Sequence, residues 1–188
     1  MTPRRLLVPL VLAPALLGFG ACPQSAAPDA AVTDGGEDDG GTPILRDVAF
    51  AQVPPGEVTM LTLAGVTLTA GPYQGGQIVQ VQDFLGEGPD LGLSCGAVAV
   101  RAPELHRSLA LTFNDDNATL LVSVYDQAGQ LLTPRPIDTR ADAQAVGIMR
   151  VDPVYKRLTA MVPAGATQLI GSLSIASCAG FLHEIVLQ

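Results

Sequence analysis

Residues that could do chemistry are few and widely separated in this 188-residue chain. His106 and His183 are its two histidines, and either could join Glu104 or Glu184 around a metal ion. Structural positions are the favoured interpretation, since His106 falls in a polar connection and His183 in an alternating strand. The serines form no Gly-x-Ser-x-Gly elbow, and no phosphate-binding or dinucleotide-binding glycine motif is present. We therefore expect a protein that is not an enzyme.

One acidic cluster could bind a cation. Asn114, Asp115 and Asp116 are followed by Asn117, and oxygen ligands on a tight loop suit calcium. The same residue types favour a hairpin turn, because Asn and Asp tolerate left-handed backbone and bond to their own main chain. The sequence leaves both interpretations open and favours the turn.

The first residues have the layout of an export signal. Arg4 and Arg5 precede an apolar run over 6–17, and small residues then lead to Cys22. The segment 19–22, Phe-Gly-Ala-Cys, resembles the bacterial lipobox, in which the cysteine thiol carries diacylglycerol. We expect residues 1–21 to be a lipoprotein signal peptide and Cys22 to be lipidated. Ordinary cleavage after Ala27, which would give a diffusible secreted protein, is the alternative.

Residues 22–43 predict a disordered tether. They are mostly Pro, Ala, Gly, Ser, Thr and acids, and they contain too few apolar side chains to form a core. Mutual repulsion of the acids would keep this segment extended between the lipid and a folded domain.

The remaining two cysteines predict a disulfide. With Cys22 acylated, Cys95 and Cys178 form an even pair in an oxidising compartment. Closing so long a loop would stabilise the fold by about 4 kcal/mol in the chain-entropy model. Two unpaired thiols are the alternative.

Residues 44–188 predict an all-β domain. Short alternating runs are separated by clusters of Pro, Gly, Asn and Asp, which is typical of a single antiparallel β-sandwich. Leu109, Leu111 and Phe113 would share one face of a strand, and Leu120, Val122 and Val124 one face of the next. The predicted strands are 47–50, 58–63, 66–69, 77–82, 97–101, 108–113, 118–126, 145–151, 157–162, 168–175 and 181–187.

Three short segments resemble a bacterial jelly-roll family of the galactose-binding type, close to carbohydrate-binding modules. They are 50–56 (Phe-Ala-Gln-Val-Pro-Pro-Gly), 122–129 (Val-Ser-Val-Tyr-Asp-Gln-Ala-Gly) and 181–187 (Phe-Leu-His-Glu-Ile-Val-Leu). The resemblance implies a jelly-roll sandwich and a role in binding. It also implies a structural calcium held by acids of the first and last strands. Here Ala51, Gln52 and His183 replace three of those acids, and Glu184 remains.

Composition narrows the choice of ligand. The formal net charge of −8 excludes nucleic acid and electrostatic docking on anionic lipid. Tryptophan is absent, so a glycan would have to be recognised by Tyr73, Tyr125, Tyr155 and polar groups in loops. We expect a non-catalytic binding module tethered at the bacterial cell envelope by a lipid anchor in the outer membrane, with glycan as the expected ligand. A structural lipoprotein that binds another envelope protein is the alternative.

Overall fold

The computed structural model consists of two antiparallel β-sheets packed face to face. It describes residues 44–83, 86, 88–116 and 118–188. Within these ranges no residue is helical, and no helix could cross a membrane. The predicted signal peptide, the tether, Cys22 and Asn117 lie outside the described residues.

The described ranges contain fourteen strands. They are β1 (Arg46–Ala49), β2 (Gly56–Glu57), β3 (Met60–Leu63), β4 (Val66–Pro72), β5 (Ile78–Asp83), β6 (Pro89–Ser94), β7 (Gly96–His106), β8 (Ser108–Asn114), β9 (Leu121–Tyr125), β10 (Ile137–Asp138), β11 (Met149–Arg150), β12 (Lys156–Met161), β13 (Ile170–Ser177) and β14 (Gly180–Leu187).

The strands are divided between sheet A and sheet B. Sheet A has the order β11-β12-β8-β14-β6-β5-β2, and β1 pairs with the second half of β14. Sheet B has the order β10-β9-β13-β7-β4-β3. The chain crosses repeatedly between the sheets, which is the connectivity of a jelly-roll. The predicted antiparallel β-sandwich is confirmed.

Alternation of apolar and polar residues places the core between the sheets. Leu109, Leu111 and Phe113 of β8 are fully buried, as the sequence predicts. On the other side of the core, Val122 of β9 and Leu120, which directly precedes β9, are also fully buried. Since every second residue of each strand points inward, the residues between them form the two outer faces of the sandwich.

The sequence prediction missed three strands, β2, β6 and β10, and one predicted strand is much shorter than expected. Strand β6 was not predicted, because Asp90 and Gly92, which alternate with its leucines, are residue types depleted in strands. The predicted strand 145–151 is reduced to Met149–Arg150. The residues before it form turns, in which the Val146 amide bonds to the Asp142 carbonyl at 3.0 Å.

Strand β14 carries an irregularity in the middle of sheet A. Leu182 pairs with Phe113 and Glu184 pairs with Thr112, so His183 is the extra residue between them. Such a bulge re-aims a side chain relative to its neighbours. It places the His183 ring on the outer face of sheet A, beside β6.

Candidate binding site

The outer face of sheet B is lined by small and hydroxyl-bearing side chains. In each strand, the residues that alternate with the core-facing ones point outward. Across four neighbouring strands these outward residues pair with one another and form rows. One row across β4, β7, β13 and β9 is Thr67, Arg101, Ser172 and Tyr125, and the next is Thr69, Ala99, Ser174 and Ser123. Because most of these side chains are short, Arg101 and Tyr125 are the largest groups in the two rows.

A groove runs over this face, and we call it the sheet B groove. Its first part has a volume of about 590 Å³ and lies over Thr67, Thr69, Ala99 and Arg101. A second part of about 310 Å³ continues from Arg101 to Glu104, Asp126 and Ser172. A third part, of about 280 Å³, shares Leu105, Asp126 and Gln127 with the second. The groove is therefore open and elongated, and its lining combines polar and apolar groups.

Two carboxylates line the groove, and both already have partners. Glu104 forms an ion pair with Arg46, whose Nη2 donates to Glu104 Oε2 at 3.1 Å. The bond from Arg46 holds the pKa of Glu104 below its ordinary value. Asp126 Oδ1 accepts the Gln130 amide at 2.8 Å within the turn that follows β9. These contacts therefore fix the positions of Glu104 and Asp126 at the rim of the groove.

A buried polar relay lies on the outer face of sheet A. Asp90 is fully buried, and its Oδ1 lies 2.8 Å from His183 Nδ1. The Tyr155 hydroxyl donates to the other oxygen, Oδ2, at 2.7 Å. The Tyr155 and His183 rings are 4.5 Å apart. The relay thus ties together β6, β14 and the residue before β12.

Burial shifts the pKa of the carboxylate at the centre of this relay. Desolvation raises the pKa of Asp90 above its ordinary value, although the bonds from Tyr155 and His183 oppose that shift. A carboxylate that orients an imidazole is one half of a nucleophile–base arrangement. Within the described residues, no serine, threonine or cysteine forms a hydrogen bond with His183. This contact was not predicted, because Asp90 lies in a strand that the sequence analysis missed.

The acidic cluster forms a turn. Asn114 Oδ1 accepts the Asp116 amide at 3.1 Å, the self-bonding that favours Asn in turns. Lys156 forms ion pairs with both Asp115 and Asp116, and Thr139 donates to Asp115 at 2.7 Å. The predicted hairpin is not formed, because the cluster ends β8 of sheet A and the next strand, β9, belongs to sheet B.

The same contacts do not fit a calcium site. The Lys156 ammonium already supplies positive charge to two of the predicted ligands, and Asn114 donates to the Val154 carbonyl at 2.7 Å. The fourth, Glu184, accepts from Thr112 at 3.1 Å and lies 3.8 Å from Arg157. In the described ranges, no three His, Cys, Asp or Glu residues are grouped to hold a metal ion. The predicted calcium ligands are therefore bonded to protein groups instead.

The remaining predicted residues fall in separate places. Cys95 and Cys178 form the predicted disulfide and join the β6–β7 turn to the β13–β14 turn. His106 is buried, and its Nε2 has no hydrogen-bond partner and lies 3.6 Å from Glu104 Oε1. Burial lowers the pKa of His106. Of the three tyrosines, Tyr125 lies on the face that carries the sheet B groove.

Comparison with known proteins identifies no family for this chain. No protein-family model matches the chain, and no curated protein matches it. It is similar to the enzymatically active domain of tailspike protein 4 of bacteriophage CBA120, with 14% sequence identity and a TM-score of 0.24. The match covers 77% of this chain and 18% of the tailspike chain. At that TM-score the likeness carries no argument about fold or activity.

Proposed function

We propose that this protein is a non-catalytic glycan-binding module held at the bacterial cell envelope by lipid on Cys22. The observation that carries the binding role is the sheet B groove. It is open at its ends, so an extended polymer can lie along it. Its lining comes from β4, β7 and the first residues of β13, together with the turn that follows β9.

The groove offers the chemistry that sugars require. Thr67, Thr69 and Ser172 present groups that can donate to and accept from sugar hydroxyls. Arg101 adds a planar set of donors to the groove, and Tyr125 lies beyond Ser172 in the same row of side chains. Sites for small ligands commonly combine a few such convergent polar groups with a concave surface.

The state of the carboxylates favours binding without hydrolysis. Glycoside hydrolysis requires a carboxylic acid and a carboxylate on opposite sides of the scissile bond. Glu104 is committed to Arg46 and Asp126 to the Gln130 amide, so neither is held ready for proton transfer. A ligand in the groove would be held and left intact.

Electrophoresis in gels containing polysaccharide tests the binding role. We expect at least one polysaccharide in a panel of neutral and acidic polymers to retard the purified full chain. Ala99→Ile fills the floor of the groove and should abolish the retardation. Ala49→Ile changes an equally exposed alanine of β1, in the other sheet, and should leave it unchanged. A panel that retards nothing, or an Ala99→Ile variant that is retarded normally, would contradict the proposal.

The anchor is tested separately. Cys22→Ser removes the acceptor for lipid, so the chain should move from the membrane fraction to the soluble fraction. The membrane-extracted parent chain should begin at Cys22 and be heavier than its residues by the mass of its acyl groups. A lipid-free chain that begins near Pro28 would show simple secretion instead.

An apolar cavity favours the alternative, a lipoprotein that binds another envelope protein. The cavity has a volume of about 170 Å³ and lies between β12 and the neighbouring edge of sheet B. Val124 and Ile170 contribute to its lining, and Met161, 75% exposed, lies on its rim. Crosslinking of the full chain in intact cells tests this role. A complex lost in Met161→Lys but kept in Ala99→Ile would support it.

A further inference from the structure

Most cations of the domain are bonded to the protein itself. Eight of the ten Lys and Arg residues lie in the described ranges. Six of these eight contact a carboxylate or a backbone carbonyl. They are Arg46, Arg135, Arg140, Arg150, Lys156 and Arg157. Arg101 and Arg107 form no side-chain hydrogen bond or ion pair with the described residues.

The position of Arg101 is unusual for an unpaired cation. It lies in the middle of sheet B, between Thr67 of β4 and Ser172 of β13, and it lines both larger parts of the groove. Eighteen acids are available in the chain against ten bases. The two that line the groove nevertheless bond elsewhere: Glu104 to Arg46, and Asp126 to a backbone amide. The guanidinium therefore faces the groove, and none of its donors is bonded to a residue that the structure describes.

We infer that the saccharide bound in the sheet B groove is anionic and carries carboxylates, as in a polymer of uronic acids. This rests on the proposed glycan-binding function and names its ligand class. A planar guanidinium bonds a carboxylate through two parallel hydrogen bonds. Thr67 and Ser172, on either side of Arg101, are placed to bond the hydroxyls of the same sugar.

Because the whole protein is acidic, only contacts within the groove can favour binding of an acidic saccharide. With a net charge of −8, the full chain repels polyanions at long range. Unselective capture of any acidic polymer is therefore disfavoured. Binding of an acidic saccharide requires a particular cation in a shaped groove, and Arg101 is the cation that the groove contains.

Binding of uronate polymers before and after esterification tests the inference. The probes are polygalacturonate and alginate, each compared with its esterified form, which keeps the backbone and loses the charge. We expect the full chain to bind at least one acid form about tenfold or more tightly than its ester, as for hydrogen bonds to charged groups. Arg101→Gln should remove that preference, so that the acid and its ester bind equally tightly.

Arg107 supplies a matched control, because it is the other unpaired arginine and lies outside the groove. Arg107→Gln should keep the full preference for the acid, and Arg101→Lys should keep part of it, since Lys lacks the planar pair of donors. Equal binding of acid and ester by the parent chain would overturn the inference, as would tighter binding of dextran sulfate than of either uronate. If neutral polymers bind and uronates do not, the inference fails and the proposed function stands. If no saccharide binds, the proposed function itself fails.

Discussion

Breaking the disulfide should have a large effect on stability. Cys95 and Cys178 are 83 positions apart, so the bond closes more than half of the described domain into one loop. In the chain-entropy model, a loop of that length contributes about 4.5 kcal/mol at 25 °C by restricting the unfolded chain. The bond joins two turns and no strand interior, so its removal should leave the sheets intact while lowering the free energy of unfolding.

Urea denaturation of the full chain with and without a reductant measures this contribution. With a urea dependence of about 2 kcal/mol per molar, reduction should lower the midpoint by about 2 M. The Cys95→Ser, Cys178→Ser double variant should match the reduced parent chain and should not respond to reductant. A loss of less than about 1 kcal/mol on reduction would refute the reasoning, since the unfolded chain would then gain little freedom from the opened loop.

Three further predictions concern the buried groups of the sandwich. Asp90 has a raised pKa, so it contributes stability that is present below its ordinary value of 3.8 and lost as the pH rises through the folded value. The difference in unfolding free energy between the parent chain and Asp90→Asn should therefore fall with rising pH, and a flat difference would contradict this. His106 has a lowered pKa, so its contribution is present above pH 6.5 and is lost as the pH falls. Acidification should weaken the parent chain more than His106→Asn in thermal melts, and equal losses would show that His106 does not titrate. Leu111→Ala should lower the unfolding free energy by about 2–5 kcal/mol, because the side chain is fully buried. Leu105→Ala, at a side chain that is 39% exposed, should cost much less in the same urea titration.

The sequence best predicts the strands in which large apolar residues occupy every second position. Strands β8 and β9 were predicted because leucine, valine and phenylalanine alternate there with smaller or polar residues. Strand β6 was not predicted because its outward positions are occupied by Asp90 and Gly92, which are typical of turns. The alternation of Leu91 and Leu93, beside the similar pair Val79 and Val81, is the signal that could have revealed it.

The candidate sites were much harder to predict. Arg101 was placed correctly in a strand, but its neighbours Thr67 and Ser172 are set by strand order and register, which a single sequence does not reveal. The contact between Asp90 and His183 depends in addition on a bulge in β14. Only the cysteines could be paired in advance, because their number left a single partner once Cys22 was assigned to lipid.

Mapping a bound saccharide by NMR tests the central proposal most directly. The isotope-labelled full chain would be titrated with the shortest oligosaccharide of whichever polymer retards it in gels. We predict that the largest amide shifts fall on Thr67, Ala99, Arg101 and Ser172, which line the sheet B groove. Shifts centred on His183, on the outer face of sheet A, or no shifts at saturating saccharide, would contradict the assignment of that groove as the binding site.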